Sequence, residues 1–300
     1  MERNGSETWR DGADACAAGY SRGRSFRENI SGQGGEGFGT EVSKQMRTET
    51  KIRKRADAAG RCRAGRAVYS GILQLLYPLR CPVCDRIVRP AGERICLECL
   101  GRLKILTPPW CMKCGKKLRE EGEYCADCRR KVHVFQRGRA LYEYESAALP
   151  IYRFKYGGRQ EYAEYFGGEM AEYLGDFIRS VQPDSLIPIP LHRKRKAVRG
   201  YNQAELLARA IGRRLEIPVD AKFLVREKNT VPLKYENPQE RQNNLKKAFN
   251  IARNDVKLEK VIVVDDIFTT GSTMDEVSRV LKAAGVREVC FVALAIGAGI

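Results

Sequence analysis

Apolar positions change their rhythm along the chain, and the changes mark out the elements. "RGRALYEYES" at 137–146 and "SLIPIP" at 185–190 read as strands, while "NQAELLARAIGRRL" at 202–215 repeats its apolar positions at helical spacing. "SAALPIYRFKYGG" at 146–158 predicts a short helix, with Pro150 taken to sit in its first turn, where a missing N–H does no harm. "EYAEYFGGEMAEYLGDFIRSV" predicts one helix over 161–181, with Phe166, Met170, Tyr173, Leu174 and Phe177 along one face as core. "KVIVVDDIFTTGSTMDEVSRVLKAAGVREVCFVALAI" at 260–296 reads as strand, loop, helix and strand. Strands alternating with helices imply an α/β fold, a parallel sheet joined by right-handed crossovers and flanked by helices.

The first 65 residues lack any such rhythm. They are rich in Gly, Ser, Arg, Glu and Asp, so residues 1–65 are expected to be a disordered extension, and Met46 is a second candidate initiator beside Met1. "RAVYSGILQLLYP" then puts Val68, Ile72, Leu75 and Leu76 on one helical face, stopped by Pro78. Three regions follow: the extension, a helix with a cysteine-rich segment over 66–135, and the α/β domain over 136–300. The longest apolar runs, "VIVV" and "FVALAI", are too short to span a bilayer, and no signal-like apolar stretch opens the chain. Mean hydropathy is −0.44, and the expected location is cytoplasmic.

Eleven cysteines change the picture of the middle region. Eight of them form four Cys-x-x-Cys pairs: Cys81 and Cys84, Cys96 and Cys99, Cys111 and Cys114, Cys125 and Cys128. Two thiolates on one tight turn converge on one side of a metal ion, and two such turns complete the tetrahedral sulfur shell that zinc prefers. Four pairs imply two structural zinc sites, paired most simply in chain order, with interleaved pairing open. Cys16, Cys62 and Cys290 fall outside the pattern, and Cys290 lies in an apolar run that marks it as a buried thiol.

The net charge of +17 favours polyanionic partners. It divides as +6 over residues 1–80, +5 over 81–135 and +6 over 136–300. Eight thiolates and two zinc ions would lower the middle figure to about +1, so the ribbons are not an obvious nucleic-acid clamp by net charge.

The most informative segment is "VIVVDDIFTTGST". A buried β-branched strand, Val261 to Val264, delivers Asp265 and Asp266 to the carboxyl edge of a parallel sheet, where open α/β folds bind ligands. Adjacent carboxylates repel, and accepting hydrogen bonds from the cis-diol of a ribose, or helping to hold a metal, justifies them. Thr269, Thr270, Gly271, Ser272 and Thr273 then form a hydroxyl-rich turn into a helix N-terminus, a cradle for phosphate. Together they describe a ribose 5-phosphate. The patterns of a P-loop and of a dinucleotide fingerprint are absent, and only 34 residues follow Asp266, too few for a receiver domain.

That segment resembles the phosphoribosyl pyrophosphate (PRPP) fingerprint of type I phosphoribosyltransferases. With "FKYGG" at 154–158, "LIPIPLHRKRKAVRGYNQAELLA" at 186–208, "ERQNNLKKAF" at 240–249 and the cysteine pairs in front, the chain resembles the ComF family of competence-associated proteins over about residues 68–300. One departure stands out, Thr230 followed by Leu233 where the family commonly has Thr-x-x-Gln. The resemblance implies that Asp265 and Asp266 hold ribose hydroxyls, that Thr269 to Thr273 bind the 5-phosphate, and that Leu191, His192, Arg193 and Lys194 lie near the pyrophosphate. The basic run "HRKRKAVR" suits a departing pyrophosphate, and His192 is read as an ordinary loop histidine. Arg199, Tyr201, Asn202 and Gln203 would shape the opposite wall, helped by Arg241 and Asn244.

Two functions compete at this stage. One is a PRPP-binding protein handling single-stranded DNA during natural transformation, with basic stretches at 193–199 and 246–247, with Tyr201 and Phe249 for stacking, and with the ribbons available to dock a helicase-like partner. The other is a magnesium-dependent phosphoribosyltransferase with an unknown acceptor, Mg²⁺ bridging the pyrophosphate and ribose hydroxyls.

Overall fold

The computed structural model describes residues 78–90, 93–227, 248–252 and 257–297. The extension over 1–65, the "RAVYSGILQLLYP" helix, Cys16, Cys62, Thr230, Leu233, Arg241, Asn244 and the 246–247 pair lie outside them.

A four-stranded parallel sheet forms the centre: β1 (Gly138–Glu143), β2 (Ser185–Pro188), β5 (Lys260–Phe268) and β6 (Glu288–Ile296), in the spatial order β1-β6-β5-β2. The helices are α1 (Ala126–Arg130), α2 (Tyr144–Tyr156), α3 (Tyr162–Tyr173), α4 (Gly175–Val181), α5 (Arg193–Arg199), α6 (Gln203–Leu215) and α7 (Ser272–Ala283). A separate antiparallel pair joins β3 (Leu224–Arg226) to β4 (Phe249–Ile251).

Both faces of the sheet are covered, which is why its central strands read as continuous apolar runs rather than alternating ones. Ile262, Val264, Cys290 and Val292 face a core built with Phe154, Phe166, Met170, Leu207 and Ile211 of α2, α3 and α6. Val261, Val263, Val289 and Phe291 face the other side, against Met274, Val277 and Leu281 of α7, Phe135, and Cys111 and Cys114 of the second cysteine cluster. Cys290 is fully buried, as its apolar run implied. The sheet edges are covered too. Leu106 N–H donates to Leu141 O at 2.8 Å and Glu143 N–H to Lys104 O at 2.9 Å, so the segment linking the two clusters pairs with β1. At the opposite edge Leu186 N–H donates to Pro218 O at 2.8 Å. No unpaired row of backbone groups is left along either flank at these points.

Three local expectations are corrected. Pro150 sits inside α2, not in its first turn. Ala147, Pro150, Ile151 and Phe154 all face the core, and burial of that stripe outweighs the ~3 kcal/mol a mid-helix proline costs. The 161–181 helix breaks at Leu174 into α3 and α4, just before Gly175, a weak helix former. Phe166, Met170 and Leu174 of its stripe are core, whereas Tyr173 is 37% exposed. The basic run after β2 is the helix α5 rather than a turn, begun by His192, whose Nδ1 accepts from Lys194 N–H at 3.3 Å, and ended by Gly200 at φ 79°.

Phe291 is fully buried, stacked on Phe268 at 4.5 Å between ring centroids and edge-on to Phe135 at 4.9 Å. Phe291→Ala is expected to lower the unfolding free energy by about 3–5 kcal/mol, read from urea denaturation with an unchanged slope.

Candidate functional site

The two cysteine clusters assemble in chain order. Cys81, Cys84, Cys96 and Cys99 place their Sγ atoms within 4.8 Å of one another, and Cys111, Cys114, Cys125 and Cys128 do the same. Cys84 and Cys96 Sγ lie 3.8 Å apart and Cys114 and Cys125 Sγ 3.6 Å, close to the ~3.8 Å edge of a tetrahedron with zinc–sulfur bonds of ~2.3 Å. The donor sets fit two zinc ions. Backbone turns set this up: Gly115 N–H donates to Cys111 O at 2.9 Å, with Gly115 at φ 79°. Gly115 also abuts β1, since a Cβ there would stand 2.8 Å from Gly138 O. The first cluster is tied to the α/β domain by Asp85, which accepts from Tyr162 OH at 2.5 Å and pairs with Arg159 Nε at 2.9 Å.

The carboxylate pair owes its position to strand lengths. β2 ends with Pro188 opposite Val264, while β5 continues to Phe268 alongside β6. Asp265 and Asp266 therefore lie beyond the end of β2, on the last residues of β5 rather than in the loop after it. Asp265 Oδ1 accepts the N–H of Asp266 at 2.8 Å, and Asp266 Oδ1 pairs with Lys155 Nζ at 2.7 Å. Burial, then the Asp266 charge, pushes the Asp265 carboxyl up to about 7, against the pull of Lys155, the Asp266 N–H and Arg226. Arg226, on β3, has its own guanidinium pushed down to about 10, chiefly by burial and then by the Arg195 charge.

The turn after β5 carries its hydroxyls at the start of a helix. Thr269 and Thr270 are exposed, Gly271 takes φ 75°, and Ser272 and Thr273 open α7. Thr270 Oγ1 and Ser272 Oγ are 3.2 Å apart. Glycine is required at 271 twice over: by the left-handed backbone, and because a Cβ would stand 2.8 Å from His133 Cε1 and 3.1 Å from Phe268 Cζ. His133 belongs to the segment leaving the second cysteine cluster. Its Nδ1 lies 3.0 Å from Oδ2 of Asp275, in the first turn of α7. Asp275 also accepts from Val134 N–H at 2.9 Å and pairs with Lys131 Nζ at 2.7 Å. Burial alone would raise the Asp275 carboxyl, but the His133, Lys131 and Val134 bonds outweigh it and hold it below the usual carboxylate range. The second cluster and the hydroxyl-rich turn are thereby fastened to each other.

Leu191 and His192 are half-buried and Arg193 and Lys194 exposed, directly after the end of β2, where Ile189 N–H donates to Val264 O at 3.0 Å. The "RGYNQ" residues are joints. Tyr201 OH donates to Phe154 O at 2.6 Å, and Gln203 Nε2 donates to the same carbonyl at 3.3 Å. Asn202 Nδ2 donates to Ile189 O at 2.9 Å, and Asn202 caps α6 by accepting Ala204 N–H at 3.2 Å. Arg199 bonds Gln203 Oε1 at 3.1 Å and Tyr156 OH at 3.0 Å. Together they lock the end of α2, which carries Lys155, to the end of β2. The expectation that Tyr201 and Phe249 stack on bases is corrected: they are 5% and 1% exposed, Tyr201 with its hydroxyl already engaged and Phe249 beneath the Arg226 guanidinium.

Lys155, Arg226, Lys131, His133 and Asp275 were not singled out from the sequence as site residues. Lys155 had a signal, its place in "FKYGG". Arg226, Lys131 and His133 reach the site from distant parts of the chain, without a local pattern, and Asp275, two residues after Thr273, is read as part of the helix alone.

Comparison with known proteins agrees with this architecture. A Double zinc ribbon domain model matches residues 72–129, and a Phosphoribosyl transferase domain model matches residues 200–298. Competence protein F of Haemophilus influenzae is 31% identical over 219 residues, 71% of this chain and 95% of that protein. Competence protein ComFC of Bacillus subtilis is 27% identical over 70% of this chain and 91% of its own length. DNA utilization protein YhgH of Escherichia coli K12 is 27% identical over 72% of this chain and 96% of its own length. Among the described residues no helix is long and apolar enough to cross a membrane.

Two outcomes follow from this geometry. Elemental analysis of the purified protein should find two zinc ions per chain, and replacing Cys125 and Cys128 by serine should leave one. Asp265 has its carboxyl raised in the folded state, so it binds a proton there that the unfolded chain has already released. That opposes folding as pH rises from about 4 to about 7. Asp265→Asn should therefore raise the thermal midpoint at pH 8, the gain vanishing near pH 4 in parallel scans.

Proposed function

The chain belongs to the competence protein F (ComF) family, a double zinc ribbon joined to a phosphoribosyltransferase-type domain, and from that membership we propose that the carboxyl edge of its sheet binds PRPP or a related ribose phosphate. The observation that carries this reading is one of placement. Asp265 and Asp266, at the end of β5, and the turn Thr269–Thr273, at the start of α7, share one edge beyond the last residue of β2.

In this reading the two carboxylates accept hydrogen bonds from the ribose hydroxyls. Lys155 offsets the repulsion between them by pairing with Asp266, while burial and the Asp266 charge raise the Asp265 carboxyl. Gly271 and the N–H groups opening α7, with the hydroxyls of Thr269, Thr270, Ser272 and Thr273, hold the 5-phosphate. Leu191 to Lys194 flank the pyrophosphate, with Arg193 and Lys194 supplying charge. Magnesium fits as a partner of the ligand's own pyrophosphate and hydroxyl oxygens, since among the described residues the only tight clusters of metal-binding side chains are the two cysteine sets. When bound, it would supply charge neutralisation for the pyrophosphate.

The cellular role proposed is the handling of single-stranded DNA in competence. The relatives named for competence and for DNA utilization support it, as does the net charge of +17.

Calorimetric titration with PRPP and Mg²⁺, and separately with ribose 5-phosphate, tests the site. Replacing both Asp265 and Asp266 by asparagine should weaken binding by about 100-fold, the loss of two charge-assisted hydrogen bonds. Equal affinity in the double variant would refute the assignment. The same variant should lower transformation frequency in a strain carrying it as the sole copy.

A further inference from the structure

A cavity of about 630 Å³ lies where the ribbons meet the sheet. Arg102 and Lys104 of the segment between the ribbons form one wall, and Lys116, Lys117 and Arg119 of the second ribbon form another. Glu143 and Glu145 are its only acidic lining residues. The ribbon segment as a whole is nearly neutral once zinc is counted, yet five of its basic side chains line this one cleft. Lys116 is paired with Asp127, and Lys117 with Glu143 at 3.6 Å. Among the described residues no carboxylate pairs with Arg102, Lys104 or Arg119, and all three are exposed.

One end of the cleft lies beside the hydroxyl-rich turn. Ile296 and Gly297, directly after the end of β6, line it. Gly297 N–H donates to Phe268 O at 3.0 Å, and a Cβ on Gly297 would stand 3.9 Å from Thr269 Cγ2. The basic cleft therefore borders Thr269, at the phosphate end of the proposed sugar-phosphate site.

That order decides which ligand suits both. The turn takes a phosphate on C5 of a sugar whose ring hydroxyls meet Asp265 and Asp266. In a nucleic-acid strand only the 3′-terminal nucleotide offers a 5′-phosphate together with a free 3′-hydroxyl, and the rest of the strand leaves through that phosphate. We propose that the cleft is a track for the phosphodiester backbone of a single-stranded nucleic acid, whose 3′-terminal nucleotide occupies the sugar-phosphate site. This deepens the ribose-phosphate reading and rests on it. Arg102, Lys104 and Arg119 neutralise successive phosphates, and the carboxylates read the end of the strand, which is sequence-independent recognition of a terminus.

The test is fluorescence anisotropy with 5′-labelled oligouridylate of about 12 nucleotides, whose 3′-terminal ribose keeps both ring hydroxyls, ending in either a 3′-hydroxyl or a 3′-phosphate. The protein is the full zinc-loaded chain, wild type or carrying Arg102→Glu, Lys104→Glu and Arg119→Glu together. Zinc content and thermal midpoint check that the variant is folded. The triple variant should bind at least about tenfold more weakly near 100 mM salt, with a salt slope shallower by roughly 2. In the wild type, ribose 5-phosphate should displace the 3′-hydroxyl strand, and the 3′-phosphate strand should bind more weakly. Undiminished binding by the folded triple variant overturns the track. Equal binding of the two strand ends, with no displacement by ribose 5-phosphate, overturns the end-reading. A wild-type protein that takes up no ribose 5-phosphate in calorimetry overturns the underlying reading, and this inference with it.

Discussion

The unequal length of neighbouring parallel strands is the constraint from which the site follows. β2 stops at Pro188 opposite Val264, and β5, supported on its other side by β6, runs on to Phe268. A carboxylate pair inside a fully paired sheet would be buried without solvent or partner, at prohibitive cost. Beyond the end of β2 the same pair is partly exposed, and Lys155 pairs with Asp266. Because β5 continues through the pair, Asp265 and Asp266 are held by strand geometry. Their positions are as rigid as the sheet.

The ribbons do more than hold zinc. The segment between them covers the exposed edge of β1, and the second ribbon packs Cys111 and Cys114 onto one face of the sheet. The chain leaving the second ribbon then reaches α7, where Lys131, His133 and Val134 converge on Asp275. A buried carboxylate with three donors is a strong, directional joint. It fixes the first turn of α7, directly after the hydroxyl-rich turn, and the ring of His133 fills the space beside Gly271. Metal-stapled module and ligand turn are thus parts of one construction.

Charge shows the same dependence on placement. As a sum, the ribbon segment with zinc is close to neutral, which argues against a polyanion surface. The fold sets Arg102, Lys104 and Arg119 around one cleft, where no carboxylate among the described residues pairs with them, although Glu143 and Glu145 also line it. The run after β2, which looks like a basic loop in the sequence, is instead the helix α5, and the aromatics near it are structural.

Much of this protein was legible in its residues. The cysteine spacing is itself the coordination geometry, because a Cys-x-x-Cys turn brings its two thiolates together whatever surrounds it. The β-branched run before Asp265 and the hydroxyl-rich turn after it are likewise local, and both lie where the pattern placed them. Other features depend on contacts between distant segments. That Pro150 is tolerated mid-helix depends on the core beneath α2, that Tyr201 points inward depends on the Phe154 carbonyl, and that Asp275 clamps the second ribbon depends on a segment some 140 residues away. Sequence alone determined most of the elements, the pairing of the thiolates and the carboxylate and hydroxyl run at the end of β5, since each is set by neighbours within a few positions. Tertiary structure alone decided which cations face a common cleft and which polar side chains are tied up as joints, because both are properties of surfaces that exist only after the sheet and its covers have closed.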